Sequence, residues 1–159
     1  MYHYSHLEDY IITLYTKIGI QRIEHVTMKN VASGLDITVY TFEGSSEGVY
    51  AAGRQYIFLN RDLSLQEQWQ EFGHELCHIL RHAGHQGRMA QSFVEYQEWQ
   101  ADNFALHVCI PTFMLVEMEL SRNRKRALWE IQESFNVTYD FAEKRLEQFT
   151  QKHAYAMLS

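Results

Sequence analysis

The sequence predicts an α+β fold: an N-terminal helix, a small sheet of about three strands, two central helices and a helical tail. Three observations carry that expectation. Ser-x-x-Glu capping boxes pair Ser5 with Glu8, Ser64 with Glu67 and Ser92 with Glu95, each ahead of residues with helical periodicity. A window over residues 35–59 is instead rich in β-branched and aromatic residues and is cut by glycine-bearing turns. Beyond Pro111 the period is helical again.

In a capping box the serine hydroxyl accepts from the N–H three residues on, and the glutamate accepts from the serine N–H. Two amides that a helix start leaves without partners are thereby satisfied. Behind the first box, Leu7, Tyr10, Ile11, Leu14 and Ile18 recur at helical spacing, predicting about three turns that end near Gly19. Leu35, Ile37, Val39, residues 40–42, 49–50 and 56–59 predict three strands in an antiparallel or mixed sheet. Gly44-Ser45-Ser46 and Ala52-Gly53-Arg54 are the turns between them. The second box opens a helix that runs to about His82, with Gly84 and Gly87 ending it. The third opens one that must stop before Pro111, because a proline ring disfavours helical geometry in the preceding residue. Residues 113–120, 127–135 and 139–152 look helical, with Phe135-Asn136-Val137-Thr138 as a tight turn. The expected division is residues 1–111 for the sheet and central helices and 112–159 for a helical part.

A chain of 159 residues suffices for one compact domain, or a domain with a small appendage. With 46% hydrophobic and 21% charged residues the composition is globular, which argues against disorder. One proline and eight glycines leave no room for a long flexible linker. A net charge of -6 argues against direct nucleic-acid binding. The basic excess sits in Arg122, Arg124, Lys125 and Arg126, which read as a solvated helix start in preference to an anionic docking patch. Met1-Tyr2-His3-Tyr4 lacks the basic start and apolar run of a secretion signal. The longest uncharged stretch, residues 103–116, is too short to span a bilayer. Two cysteines far apart make no disulfide framework. The expectation is a cytoplasmic, reduced protein without a membrane partner.

Within the second predicted helix Leu65, Trp69, Phe72, Leu76, Ile79 and Leu80 form an apolar stripe. At about 100° per residue, His74 and His78 fall on the opposite side, one turn apart. Two imidazoles so placed can bind one metal ion, and Glu75, on the flank, can take a proton from a water that zinc has activated for attack on a peptide carbonyl. A catalytic zinc needs a third protein ligand. Continuation into His-Glu-x-x-His-x-x-Gly-x-x-His fails, since the glycine would fall on Arg81 and the histidine on Gly84; His82 and His85 are near the required place but not at it. A carboxylate on the next helix is the other option, and Glu95, Glu98 and Asp102 share one face at spacings of three and four. Spacing on that face does not exclude Glu95. Glu98-x-x-x-Asp102 is similar to the pattern of thermolysin-like enzymes, in which the glutamate binds zinc and the aspartate holds a ligand histidine by its other ring nitrogen.

Phe72-Gly73-His74-Glu75-Leu76-Cys77-His78-Ile79-Leu80, then Glu98-Trp99-Gln100-Ala101-Asp102-Asn103-Phe104-Ala105 and Pro111, resembles the ImmA/IrrE family of metallopeptidases. The segment 56–60, Phe135-Asn136-Val137 and Lys144-Arg145-Leu146 extend the similarity over about residues 5–150. Gly73, Cys77 and Cys109-Ile110 depart from the commoner Ala, Gly and Leu-Met, and none is a ligand. The resemblance implies a zincin-like core in which His74, His78 and Glu98 hold Zn2+, Glu75 acts as general base and then acid, and Asp102 orients a ligand. It also implies a short phage or mobile-element endopeptidase whose protein substrate is a helix–turn–helix transcriptional repressor. Two other classes stand beside it. A repressor-binding antirepressor that cuts nothing would not need Glu75. A DNA-binding regulator with structural zinc would show four ligands rich in cysteine.

Other residues have plainer readings. Cys77 packs in the core, and His82 and His85 are exposed histidines at a helix end. Tyr96 and His107 are both candidates to donate to a tetrahedral oxyanion. Trp69, Phe72, Trp99 and Phe104 are expected in the core. Residues 135–146 have a helix–turn–helix rhythm that reads as a hairpin closing the domain. Substrate recognition is expected by strand addition beside residues 56–59.

Overall fold

The computed structural model describes residues 2–81 and 89–158 and has the α+β architecture that the sequence predicts. Helix α1 (His6–Lys17) starts as expected: Ser5 Oγ accepts from the Glu8 N–H at 3.3 Å, and the Ser5 N–H donates to Glu8 Oε2 at 2.6 Å. After a 3-10 turn (Ile23–His25) comes a helix the sequence reading lacks, α2 (Met28–Gly34). Its N-cap is Thr27, whose side chain accepts from the Asn30 N–H, and it buries only Val31 and Ala32. So short an apolar face leaves little periodicity to detect.

Strands β1 (Ile37–Phe42), β2 (Glu47–Ala51) and β3 (Arg54–Asn60) form a mixed sheet in the order β1-β3-β2. β1 runs parallel to β3, with Ile37 opposite Gln55 and Phe42 opposite Asn60. β2 is antiparallel to β3, with Glu47 opposite Phe58 and Ala51 opposite Arg54. The β2–β3 turn needs positive φ at both central residues, Ala52 (50°) and Gly53 (73°), the geometry that matches strand twist. β3 is therefore the central strand and both its edges are taken. Strand addition beside residues 56–59, as expected from the sequence, has no edge to use; the open edges belong to β1 and β2.

Ile37, Ile57 and Leu59 are buried, with β3 packing on α3 (Leu65–Arg81) and β1 on α2. Its capping box forms, with Ser64 Oγ accepting from the Glu67 N–H at 3.1 Å and the Ser64 N–H reaching Glu67 Oε2 at 2.8 Å. Trp69, Phe72, Leu76 and Cys77 are buried on the apolar stripe. Leu65 is not part of it: at the first helical position it is 72% exposed. Gly73 has a spatial reason. A Cβ there would lie 3.1 Å from Ala105 Cα and 3.4 Å from Cys109 Sγ, so the glycine lets α3 and α4 (Gln91–Cys109) close on each other. That approach offsets a helix-propensity cost of about 1 kcal/mol.

The third capping box does not form. α4 begins at Gln91 with Ala90 as N-cap and no side-chain cap bond, which puts Ser92 inside the first turn. Glu95 instead accepts from Gln91 Nε2 at 3.1 Å. Trp99 also departs from expectation: it is 62% exposed and stacks on Tyr96, whereas Phe104 is buried.

Helices α5 (Thr112–Glu117), α6 (Arg124–Phe135) and α7 (Tyr139–Leu158) follow. Asn136 in the left-handed region (φ 52°) turns α6 into α7, making a hairpin. Arg145 faces inward and is buried: its Nε donates to the Ile110 carbonyl at 3.0 Å and its Nη2 to Thr112 Oγ1 at 2.6 Å. Thr112 Oγ1 donates in turn to the buried Glu8 at 2.8 Å, tying α5 and α7 to α1. Arg124 and Arg126 pair with Glu143 and Glu130 on the surface. Among the described residues no helix is long and apolar enough to cross a membrane.

Candidate metal centre

Close packing of α3 on α4 brings one face of each helix into register. His74 Nε2 and His78 Nε2 stand 3.2 Å apart. Glu98 reaches across from α4, with Oε2 at 3.0 Å from His74 Nε2 and Oε1 at 3.1 Å from His78 Nε2. One ligand atom from each of the three side chains lies within 4.8 Å of the others. Glu95, one turn earlier and exposed, is not in this group.

The donors fit a cation. Asp102 Oδ1 lies 2.8 Å from His74 Nδ1, and a carboxylate can only accept there, so the proton belongs on Nδ1 and the lone pair on Nε2. That lone pair then faces the Glu98 carboxylate. Such an arrangement is repulsive until a proton or a metal ion sits between the groups. The set of two imidazoles and one carboxylate suits a zinc ion with one position left open. Burial lowers the basicity of His74, but Asp102 and the nearby Glu75 and Glu98 charges more than offset it, so its pKa is raised. The three side chains are half-buried.

Glu75 lies between the two histidines in sequence and turns toward the sheet, where Oε2 accepts the Gly48 N–H from β2 at 2.9 Å. Burial pushes its carboxyl up to about 7, against the pull of His74 and the Gly48 N–H. Gly48 was not legible as part of the site. The one available signal was a glycine inside a strand, which often marks a close backbone approach.

Neither expected oxyanion donor is brought to the centre. His107 lies half a turn around α4 from Glu98, is buried, and has its Nδ1 2.9 Å from the Asn103 carbonyl. Burial and the Arg145 charge hold its pKa at about 4. Tyr96 is exposed and its hydroxyl accepts from Gln100 Nε2 at 3.1 Å. His82 and His85, with Gly84 and Gly87, lie outside the described residues. Cys77 packs in the core as expected, and burial pushes its thiol up to about 12. A cavity of about 200 Å³ between α3, α4 and α7 opens beside the His74–Asp102 pair, with Glu71, Phe141 and Lys144 on its walls.

Residues 32–147 match the family model of the IrrE N-terminal-like domain, a peptidase family. The chain is 46% identical over 150 residues to the phage-like element PBSX protein XkdA of Bacillus subtilis (strain 168), covering 94% of this chain and 76% of that one. It is 37% identical over 148 residues to YqaB, an uncharacterised protein of the same organism, covering 93% of this chain and 86% of YqaB.

Proposed function

This chain belongs to the IrrE N-terminal-like domain family of peptidases, and from that premise we propose that it is a zinc-dependent endopeptidase that cuts a helix–turn–helix transcriptional repressor. The observation that carries the reading is the convergence of His74, His78 and Glu98, with Glu75 on the same helix as the two histidines. Zinc held there supplies a Lewis acid and an activated water at neutral pH. Asp102 keeps the proton on His74 Nδ1, which directs Nε2 inward and raises its basicity. Glu75 takes the proton of the attacking water and delivers it to the leaving amine.

The name of XkdA supports a phage or mobile-element setting, and the family resemblance supports a repressor as the substrate. The cytoplasm, where a repressor holds its operator, is the proposed compartment. A substrate segment would add as a strand at the edge of β2, the strand that touches Glu75, in place of β3. Residues 112–159 are read as a helical part that closes the core of residues 1–111, and burial of Arg145 supports that reading over DNA contact.

Co-expression with the helix–turn–helix protein encoded beside it tests the proposal. The wild type is expected to cut that protein at one site. Glu75→Gln is expected to keep its zinc and lose about 10²–10⁴-fold in cleavage rate. Equal cleavage by both would remove the mechanism. Repressor inactivation by Glu75→Gln without a cut would favour an antirepressor that only binds.

A further inference from the structure

We propose that Gly48 is a positioning residue for Glu75: its backbone N–H fixes one carboxylate oxygen, and its missing side chain is what lets β2 come close enough to do so. The proposal rests on Glu75 being the general base. Gly48 is opposite Ile57 on β3, within the edge strand β2. Its φ is not positive, so no turn geometry demands a glycine here. A glycine inside a strand costs roughly 0.5–1 kcal/mol relative to alanine, so its presence needs a spatial cause. The cause is α3. A Cβ on Gly48 would lie 3.0 Å from Ile79 Cγ1, 3.2 Å from Ile79 Cδ1 and 3.2 Å from the Glu75 carbonyl oxygen. The same proximity brings the Gly48 N–H to 2.9 Å from Glu75 Oε2.

A hydrogen bond from an amide to an ionised carboxylate is among the stronger ones, and this one comes from a strand and not from a mobile side chain. With Oε2 anchored, Oε1 is the oxygen left to take and return a proton. The carboxylate plane is set before substrate arrives, as general-base geometry requires. An alanine would push β2 off α3 by a few tenths of an ångström unless the Ile79 side chain turned aside, and that displacement loosens the bond.

The experiment uses the full zinc-loaded chain and four variants: Glu75→Gln, Gly48→Ala, Ile79→Ala and the last two combined. The first arm needs no substrate. In amide NMR spectra, Glu75→Gln is expected to shift the Gly48 amide proton upfield, because the charged acceptor is lost. A Gly48 resonance that does not respond to Glu75→Gln would overturn the proposal. This arm gives its answer whether or not a repressor is cut. In the second arm, Gly48→Ala is expected to retain full zinc while kcat toward the purified repressor falls about 10- to 100-fold. Adding Ile79→Ala, which removes two of the three close contacts, is expected to restore part of kcat. Unchanged kcat in folded Gly48→Ala, or a kcat loss that Ile79→Ala leaves untouched, would count against the positioning role.

Discussion

Two clusters of charged side chains flank α4, and their donors and acceptors are matched in opposite ways. Behind His107, Glu8 accepts from Tyr2 Oη at 2.6 Å, from Thr112 Oγ1 at 2.8 Å, from the Ser5 N–H at 2.6 Å and from Lys152. Four donors meet one buried carboxylate, so the cluster is complete without any added ion. Half a turn around the helix, the Glu98 carboxylate meets two imidazole nitrogens, one of them a lone pair because its ring gives its proton to Asp102. Three side chains there bring ligand atoms within 4.8 Å of one another, an arrangement that could hold a cation. The contrast teaches that burial and charge alone do not single out the candidate metal centre; the convergence of ligand-type atoms from two helices does.

The largest expected difference is in stability. Glu8→Ala should cost about 3–5 kcal/mol by chemical denaturation, because it leaves Arg145 and Lys152 beside an emptied buried site. That loss should be equal in metal-free and zinc-loaded protein. Glu98→Gln should instead remove only the stabilisation that bound zinc adds. A large loss in metal-free Glu98→Gln would erase the distinction.

A pH series sharpens it. Burial would raise the Glu8 carboxyl, but hydrogen bonds from Lys152, the Ser5 N–H, Tyr2 and Thr112 outweigh burial and hold it at about 2. Its value in the unfolded chain is about 4.3. Between those values the unfolded state binds more protons, so this contribution is fully present above about pH 4.3 and is lost as pH falls toward 2. It amounts to something on the order of 3 kcal/mol. Glu8→Gln should flatten the stability curve over that window; a curve as steep as wild type would mean that other carboxyls set it.

Smaller effects belong to the supporting residues. Asp102→Ala should weaken zinc binding about 10- to 100-fold in a competition titration while leaving the metal-free fold intact. Gly73→Ala should cost up to about 1 kcal/mol, since crowding against the Ala105 backbone outweighs the gain in helix propensity. A clear stabilisation would show that α4 yields more easily than the contacts suggest.

The parts of the fold legible from sequence are those written in local spacing. His74 and His78 are one turn apart, Glu98 and Asp102 are one turn apart, and the first two capping boxes span four residues each. Where the outcome depended on what lies opposite, periodicity misled. Trp99 and Leu65 have core-like spacing but stay largely exposed. Ser92 has the capping pattern, yet the N-cap is Ala90, two residues earlier. β3 looked available for pairing because order within a sheet is not encoded in a strand's own residues. Glu8 was legible as a cap and not as a hub, since its partners Thr112 and Lys152 lie 104 and 144 residues away. The Gly48 contact spans 27 residues and rests on a backbone N–H, which carries no residue signature.

Metal content of the purified chain is the most direct test of the centre. Elemental analysis should find about one zinc per chain in wild type and in Glu95→Gln, and a small fraction of that in His78→Ala and Glu98→Gln. Full zinc in folded Glu98→Gln, with loss in Glu95→Gln, would contradict the ligand set drawn from His74, His78 and Glu98.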